Sequence, residues 1–213
     1  MDRTALKNAV SASLEAAPVI GVVRTRLPEE AARVARLYIE GGLQLIEITF
    51  SVPDATRLVE QLRVEVGDGP PWIGMGTVTD GDRARRALEA GAQFIVSPNV
   101  SAEVAEETVA SSTFLVVGAL TCTEIVDARR LGADLVKVYP LPPVGGPAYL
   151  SVVRQPLDDI PMLAAGGFGV EEIPAYKKAG AIAFGIGAPL LGESDEKSLR
   201  TIGRALTLAG GTS

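Results

Sequence analysis

Short apolar runs rich in β-branched residues alternate along the chain with longer segments whose charges recur at helical spacing. The runs are Val19–Arg24, Leu45–Thr49, Trp72–Gly76, Phe94–Ser97, Phe114–Gly118, Leu135–Tyr139, Met162–Ala165 and Ile182–Gly185, eight in all. An amphipathic segment follows each. Several of these open on a proline or a capping side chain, at Pro28-Glu29-Glu30, Pro53-Asp54, Asp80-Gly81-Asp82, Ser101-Ala102-Glu103 and Thr123-Glu124. Several end in glycine, at Gly41-Gly42, Gly91, Gly132 and Gly180, where a left-handed residue returns the chain to the next strand.

Strands that are apolar throughout need cover on both faces, so the pattern predicts a parallel sheet flanked by helices. Eight such units, repeating about every two dozen residues, predict an α/β fold of the (β/α)8 TIM-barrel kind. They leave no room for an inserted domain, so residues 1–213 read as one domain. An open doubly wound sheet calls for a Gly-x-Gly-x-x-Gly turn after the first strand, and that position reads Val23-Arg24-Thr25-Arg26. Asp2–Ala16 reads as an extra N-terminal helix covering the bottom of the barrel.

Composition narrows the chemistry. The 213 residues include no histidine and one cysteine, Cys122, which removes Ser-His-Asp and Cys-His triads, His-ligated zinc, disulfides and cysteine-cluster metal sites. Twenty basic against 26 acidic side chains give a net charge of -6, which speaks against nucleic acid or an anionic membrane as partner. The opening Met1–Asn8 lacks the apolar run of a signal peptide, and no stretch approaches the roughly 18 apolar residues of a membrane span. The expectation is a soluble cytoplasmic protein, for which small-molecule chemistry or protein partners remain.

In a barrel the chemistry sits where strands end, so polar residues late in apolar strands call for explanation. Of the five lysines, Lys7, Lys177, Lys178 and Lys197 lie on helical segments, whereas Lys137 interrupts Leu135-Val136-Lys137-Val138-Tyr139. A desolvated amine is the nucleophile that condenses with a ketone to form a Schiff base. The other reading is a strand-end lysine that reaches water or pairs with a carboxylate. Glu47 sits in Leu45-Ile46-Glu47-Ile48-Thr49, where a carboxylate is costly unless paired or used. Strands two and six face each other in an eight-stranded ring, so Glu47 and Lys137 project toward one space, either as acid/base and imine-forming amine or as a structural ion pair.

Two glycine clusters, Ala165-Gly166-Gly167-Phe168-Gly169 and Gly185-Ile186-Gly187-Ala188-Pro189, follow the seventh and eighth runs, where barrels commonly bind phosphate through backbone amides. Tight turns are the other use of these glycines. Arg24 ends the first run and Thr77 follows the third; both carry donors suited to a carboxylate.

With these residues in hand, the chain resembles the 2-keto-3-deoxy-6-phosphogluconate/4-hydroxy-2-oxoglutarate aldolases, and in pattern most closely their 2-keto-3-deoxy-6-phosphogalactonate branch. The match runs from about Pro18 to Leu191, through Gly41–Thr49, Gly74-Met75-Gly76-Thr77-Val78, Ile95–Asn99, Gly132–Pro140 and Ala164–Gly167. The resemblance implies a class I aldolase on a (β/α)8 barrel that acts on a small-molecule keto-acid with neither metal nor organic cofactor. It implies a homotrimer that reversibly cleaves a 2-keto-3-deoxy sugar acid to pyruvate and an aldehyde, in sugar-acid breakdown of the Entner–Doudoroff kind. By the same match Lys137 is the Schiff-base lysine, Glu47 the acid/base, Thr77 lies near the pyruvate carboxylate and Pro98 lines the site.

Three positions depart from the pattern of that family. Ser51 stands where many members carry an arginine for the substrate carboxylate, while Arg24 matches the arginine of the phosphogalactonate branch. Ala188 replaces a serine that often helps bind phosphate, and Leu141-Pro142-Pro143 follows the lysine motif where a freer loop is usual. The expected substrate is a 6-phosphorylated keto-acid. The alternatives are 4-hydroxy-2-oxoglutarate or an unphosphorylated acid, a phosphate-binding barrel isomerase or epimerase, and an inactive keto-acid-binding trimer.

Overall fold

In the computed structural model, which describes residues 2–210, the eight apolar runs pair in chain order into a closed parallel barrel. The strands are β1 (Val19–Val23), β2 (Leu45–Thr49), β3 (Trp72–Gly76), β4 (Phe94–Ser97), β5 (Phe114–Ala119), β6 (Leu135–Val138), β7 (Met162–Ala164) and β8 (Ala183–Gly187). The ring closes where Ile20 of β1 pairs with Gly185 of β8. The helices are α1 (Arg3–Ala16), α2 (Pro28–Glu40), α3 (Ala55–Val66), α4 (Gly81–Glu89), α5 (Ala102–Ala110), α6 (Cys122–Arg130), α7 (Gly146–Arg154), α8 (Ile173–Lys178) and α9 (Asp195–Ala209). The expected (β/α)8 architecture is the observed one. β8 starts one residue late and extends through Gly187, so the second glycine cluster begins inside a strand rather than in a loop.

Strand alternation divides the core in two. Ile46, Ile48, Ile73, Met75, Ile95, Leu115 and Val117 face the helices, whereas Ile20, Leu45, Trp72, Phe94, Val96, Phe114, Val116, Leu135 and Leu163 fill the lumen. Helix α1 adds Val10 and Leu14 to the lumen cluster, each burial contributing about 1.5–3 kcal/mol. Trp72 Nε1 donates to Ser13 Oγ at 2.8 Å and ties the helix to the barrel floor. The extra N-terminal helix therefore sits where the sequence reading expected it.

Local signals hold with two corrections. Asp80 and Ser101 accept from the backbone N–H groups of Arg83 and Val104, as capping residues should. Helix α6, however, is capped by Thr121 and not Thr123: Thr121 is three residues before Glu124, and the two form a reciprocal capping box. Helix α3 starts at Ala55 rather than Pro53, with Asp54 left-handed at φ 54° and making no side-chain cap bond. The turn glycines Gly42, Gly91, Gly132 and Gly180 all have φ between 83° and 99°.

Among the described residues, no helix is long and apolar enough to cross a membrane. Nor, among them, does any group of three His, Cys, Asp or Glu side chains converge as a metal site would require.

Candidate active site

Inward-facing positions of β2 and β6 alternate with a period of two, so Leu45 and Leu135 on the floor are followed by Glu47 and Lys137 one layer higher. Lys137 Nζ lies 3.7 Å from Glu47 Oε2, and the residues are 8% and 2% exposed. Glu47 Oε1 is buried and accepts no hydrogen bond from the described residues, so half of this carboxylate faces the lumen unsatisfied. The ammonium lies 5.6 Å from the centroid of the Tyr139 ring, two residues along the same strand direction.

Glycines on the neighbouring strands shape the space around this pair. Gly76 of β3 flanks Glu47 so closely that a β-carbon there would overlap its carboxylate. Gly118 pairs with Lys137 in register, and its missing side chain admits the Pro98 backbone. Behind β1, the buried Tyr38 hydroxyl donates to the Ile186 carbonyl at 3.3 Å. Burial first and the Glu47 charge second push this phenol far above its usual range, which keeps it a neutral donor.

A cleft of ≈ 270 Å³ opens at the carboxyl end of the strands, lined by Val22, Arg24, Lys137, Tyr139, Gly166, Gly167, Gly187 and Ala188 among others. A larger hollow of ≈ 580 Å³ lies at the opposite end, under α1; of its charged groups Lys7, Glu15, Arg129 and Asp134, Lys7 and Asp134 pair at 2.9 Å, and Lys137 and Glu47 take no part in it. The smaller cleft is the one that holds the buried strand lysine, Lys137.

The sequence-derived site residues fall into three groups. Lys137, Arg24, Gly166, Gly167, Gly187 and Ala188 share the cleft, with Glu47 behind Lys137. Thr77 joins through Arg24, whose Nη2 donates to Thr77 Oγ1 at 3.1 Å. Pro98 stands at the end of β4 against Gly118 and is not among the residues lining this cleft. Leu141 and Pro142 likewise turn away from it: the Leu141 N–H donates to the Ala165 carbonyl at 3.1 Å, and both residues abut Gly166.

Thr77 itself is strained. A β-branched residue at φ 59° is an outlier that costs of order 1–3 kcal/mol, and such strain gathers at functional sites. Two arginines hold it, Arg24 at the hydroxyl and Arg83, whose Nη1 donates to the Thr77 carbonyl at 3.3 Å and to Thr79 Oγ1 at 2.8 Å. Arg83, Gly76 and Tyr139 escaped the sequence reading. Strand alternation, counted on from Lys137, points to Tyr139 two residues along.

The barrel carries the sequence of an aldolase, a carbon–carbon lyase. More narrowly, the chain belongs to the KDPG and KHG aldolase family, whose model matches residues 10–204. A 2-dehydro-3-deoxy-phosphogluconate aldolase from Treponema pallidum (strain Nichols) is 32% identical over 164 residues, 77% of each chain. A probable 2-dehydro-3-deoxy-6-phosphogalactonate aldolase from Rhizobium meliloti (strain 1021) is 32% identical over 174 residues, 81% of each chain. A crystal structure of a 4-hydroxy-2-oxoglutarate/2-dehydro-3-deoxyphosphogluconate aldolase from TTHB1 superposes with a TM-score of 0.81 at 29% identity, covering 99% of this chain and 100% of that one.

Proposed function

We propose that residues 1–213 act as a single barrel domain that reversibly cleaves a 2-keto-3-deoxy-6-phospho sugar acid, of the phosphogluconate or phosphogalactonate type, to pyruvate and glyceraldehyde 3-phosphate. The observation that carries this reading is the buried Lys137–Glu47 pair at 3.7 Å opening onto the cleft.

The Lys137 amine adds to the C2 carbonyl, and loss of water leaves a protonated imine. Glu47 takes the proton of the C4 hydroxyl, directly or through water. The C3–C4 bond breaks, its electron pair flows into the imine, and the aldehyde departs. Glu47 then returns a proton to C3 of the resulting enamine, and water hydrolyses the imine to pyruvate and the free amine. A buried carboxylate beside the amine suits both proton transfers. Arg24 and Thr77 hold the substrate carboxylate through charge-assisted and hydroxyl hydrogen bonds. The glycine backbone of Gly166, Gly167 and Gly187, with Ala188, faces the distal phosphate.

A second reading, 4-hydroxy-2-oxoglutarate or an unphosphorylated keto-acid as substrate, is favoured by Ala188, which offers no hydroxyl to a phosphate. Either way the enzyme works in the cytoplasm; the resemblance adds that it assembles as a homotrimer and uses no metal or organic cofactor. The test is sodium borohydride reduction in the presence of pyruvate, followed by peptide mass spectrometry. A pyruvate-derived adduct on the Lys137 peptide, absent from Lys137→Ala, is the expected result; an unmodified Lys137 peptide would overturn the imine chemistry.

A further inference from the structure

The mouth of the barrel contains a closed run of hydrogen bonds whose donors are all determined. Thr49 Oγ1 is 2.8 Å from the Val23 carbonyl, which can only accept, so the Thr49 proton is committed there. Thr49 Oγ1 is also 2.7 Å from Ser51 Oγ, so the proton between them belongs to Ser51. Arg24 Nη1, which can only donate, gives its hydrogen to Ser51 Oγ at 3.3 Å. The order is therefore Arg24 to Ser51 to Thr49 to the Val23 carbonyl, and it returns to the residue preceding Arg24.

On its other side, Arg24 Nη2 donates to Thr77 Oγ1 at 3.1 Å. That bond makes the Thr77 hydroxyl an acceptor toward Arg24 and leaves its own proton to be given elsewhere.

We infer that Thr49 and Ser51 are positioning residues that fix the Arg24 guanidinium, so that Arg24 and Thr77 present aligned donors to the carboxylate of the 2-oxo acid. The inference rests on the proposed aldolase chemistry at Lys137. Three features make Thr49 the anchor: it is fully buried, it lies two residues from Glu47 on the same face of β2, and its acceptor is a backbone carbonyl of the adjacent strand. Arg24 and Ser51 are exposed, and an exposed arginine samples many rotamers unless something holds it. Here the holding group is a serine whose own proton is already spent on Thr49, so it meets the guanidinium as a pure acceptor. Ser51 is thus the residue that makes Arg24 usable, and a reaction that never loads a carboxylate would not need it.

The experiment is the borohydride trapping of pyruvate on Lys137, run as a titration in pyruvate. In the unmodified enzyme the adduct saturates. In Ser51→Ala the half-saturating pyruvate concentration is expected to rise about five- to tenfold, the loss of one hydrogen bond's ordering, with the same plateau of adduct. Ser51→Thr, which keeps the acceptor, is expected to restore it. Thr49→Val, which keeps shape and burial, should shift the titration in the same direction, and Thr49→Ser should not. With pyruvamide, an uncharged 2-oxo amide, none of these differences should persist. Half-saturation in Ser51→Ala within twofold of the unmodified enzyme overturns the inference, and so does an equal shift with pyruvamide. Absence of any adduct in the unmodified enzyme is a different failure: it overturns the lysine chemistry itself and takes this inference with it.

Discussion

Gly76 and Glu47 compete for one volume: a β-carbon on residue 76 would overlap the carboxylate of residue 47. The acid's position is thus set as much by an absent side chain on β3 as by its own strand. Gly76→Ala should displace the carboxylate from Lys137 and lower kcat by about 100-fold or more, since a displacement of roughly 1 Å suffices for that. Steady-state kinetics alongside circular dichroism would separate this from unfolding. Gly203→Ala is the matched control. It lies exposed inside α9 with nothing near its missing β-carbon, so it should gain about 0.5–1 kcal/mol in stability and leave kcat alone.

Arg24 lines the cleft and is the charged donor proposed for the substrate carboxylate. Arg24→Ala should cost about 1.5–3 kcal/mol in kcat/KM for pyruvate-forming cleavage, a drop of about 10- to 150-fold. An unchanged kcat/KM would remove Arg24 from substrate binding.

The distal end of the cleft discriminates between the two substrate readings. A phosphorylated keto-acid should be cleaved with higher kcat/KM than its unphosphorylated counterpart, and Ala188→Ser should lower KM for the phosphorylated one by adding a hydroxyl beside Gly187. Equal kcat/KM for both substrates would select the 4-hydroxy-2-oxoglutarate type of reading.

Stability in acid should depend on Glu124. Backbone N–H groups of Thr121 first and Leu120 second hold its carboxyl below the usual value of 4.5. A carboxyl lowered in the folded state stabilises the fold fully above its unfolded value and loses that contribution as pH falls through the folded one. Glu124→Ala should therefore lower stability near neutral pH by less than about 1 kcal/mol, since the exposed carboxyl is screened by solvent, and the gap in Tm between it and the unmodified protein should close below pH 4.5. A gap independent of pH would show that packing, and not the charge, is what the variant loses.

Much of the barrel was legible because its signals are local. Eight apolar runs name eight strands to within about two residues at either end, and a charge inside such a run, as at Glu47 and Lys137, is conspicuous without any structure. What escaped depends on proximity between strands. Ser51 reads as a missing arginine until Arg24 and Thr49 are seen to flank it. Gly76 reads as a small strand residue until Glu47 fills its space. Thr121 and Thr123 are both plausible caps in sequence, and only the reciprocal bond to Glu124 decides between them. Pro98 was named from a motif, and a motif carries no information about which wall of the mouth its residue joins.

Helix α1 has its own consequence. By setting Val10 and Leu14 under the lumen and binding Trp72 through Ser13, it stoppers the barrel at the end remote from Lys137. The barrel is thus a vessel with a stopper and a working rim, so substitutions in the stopper act on how long the vessel lasts, and those at the rim act on what it accepts. Durability and selectivity can then drift separately in descendants of this chain, each under its own selection.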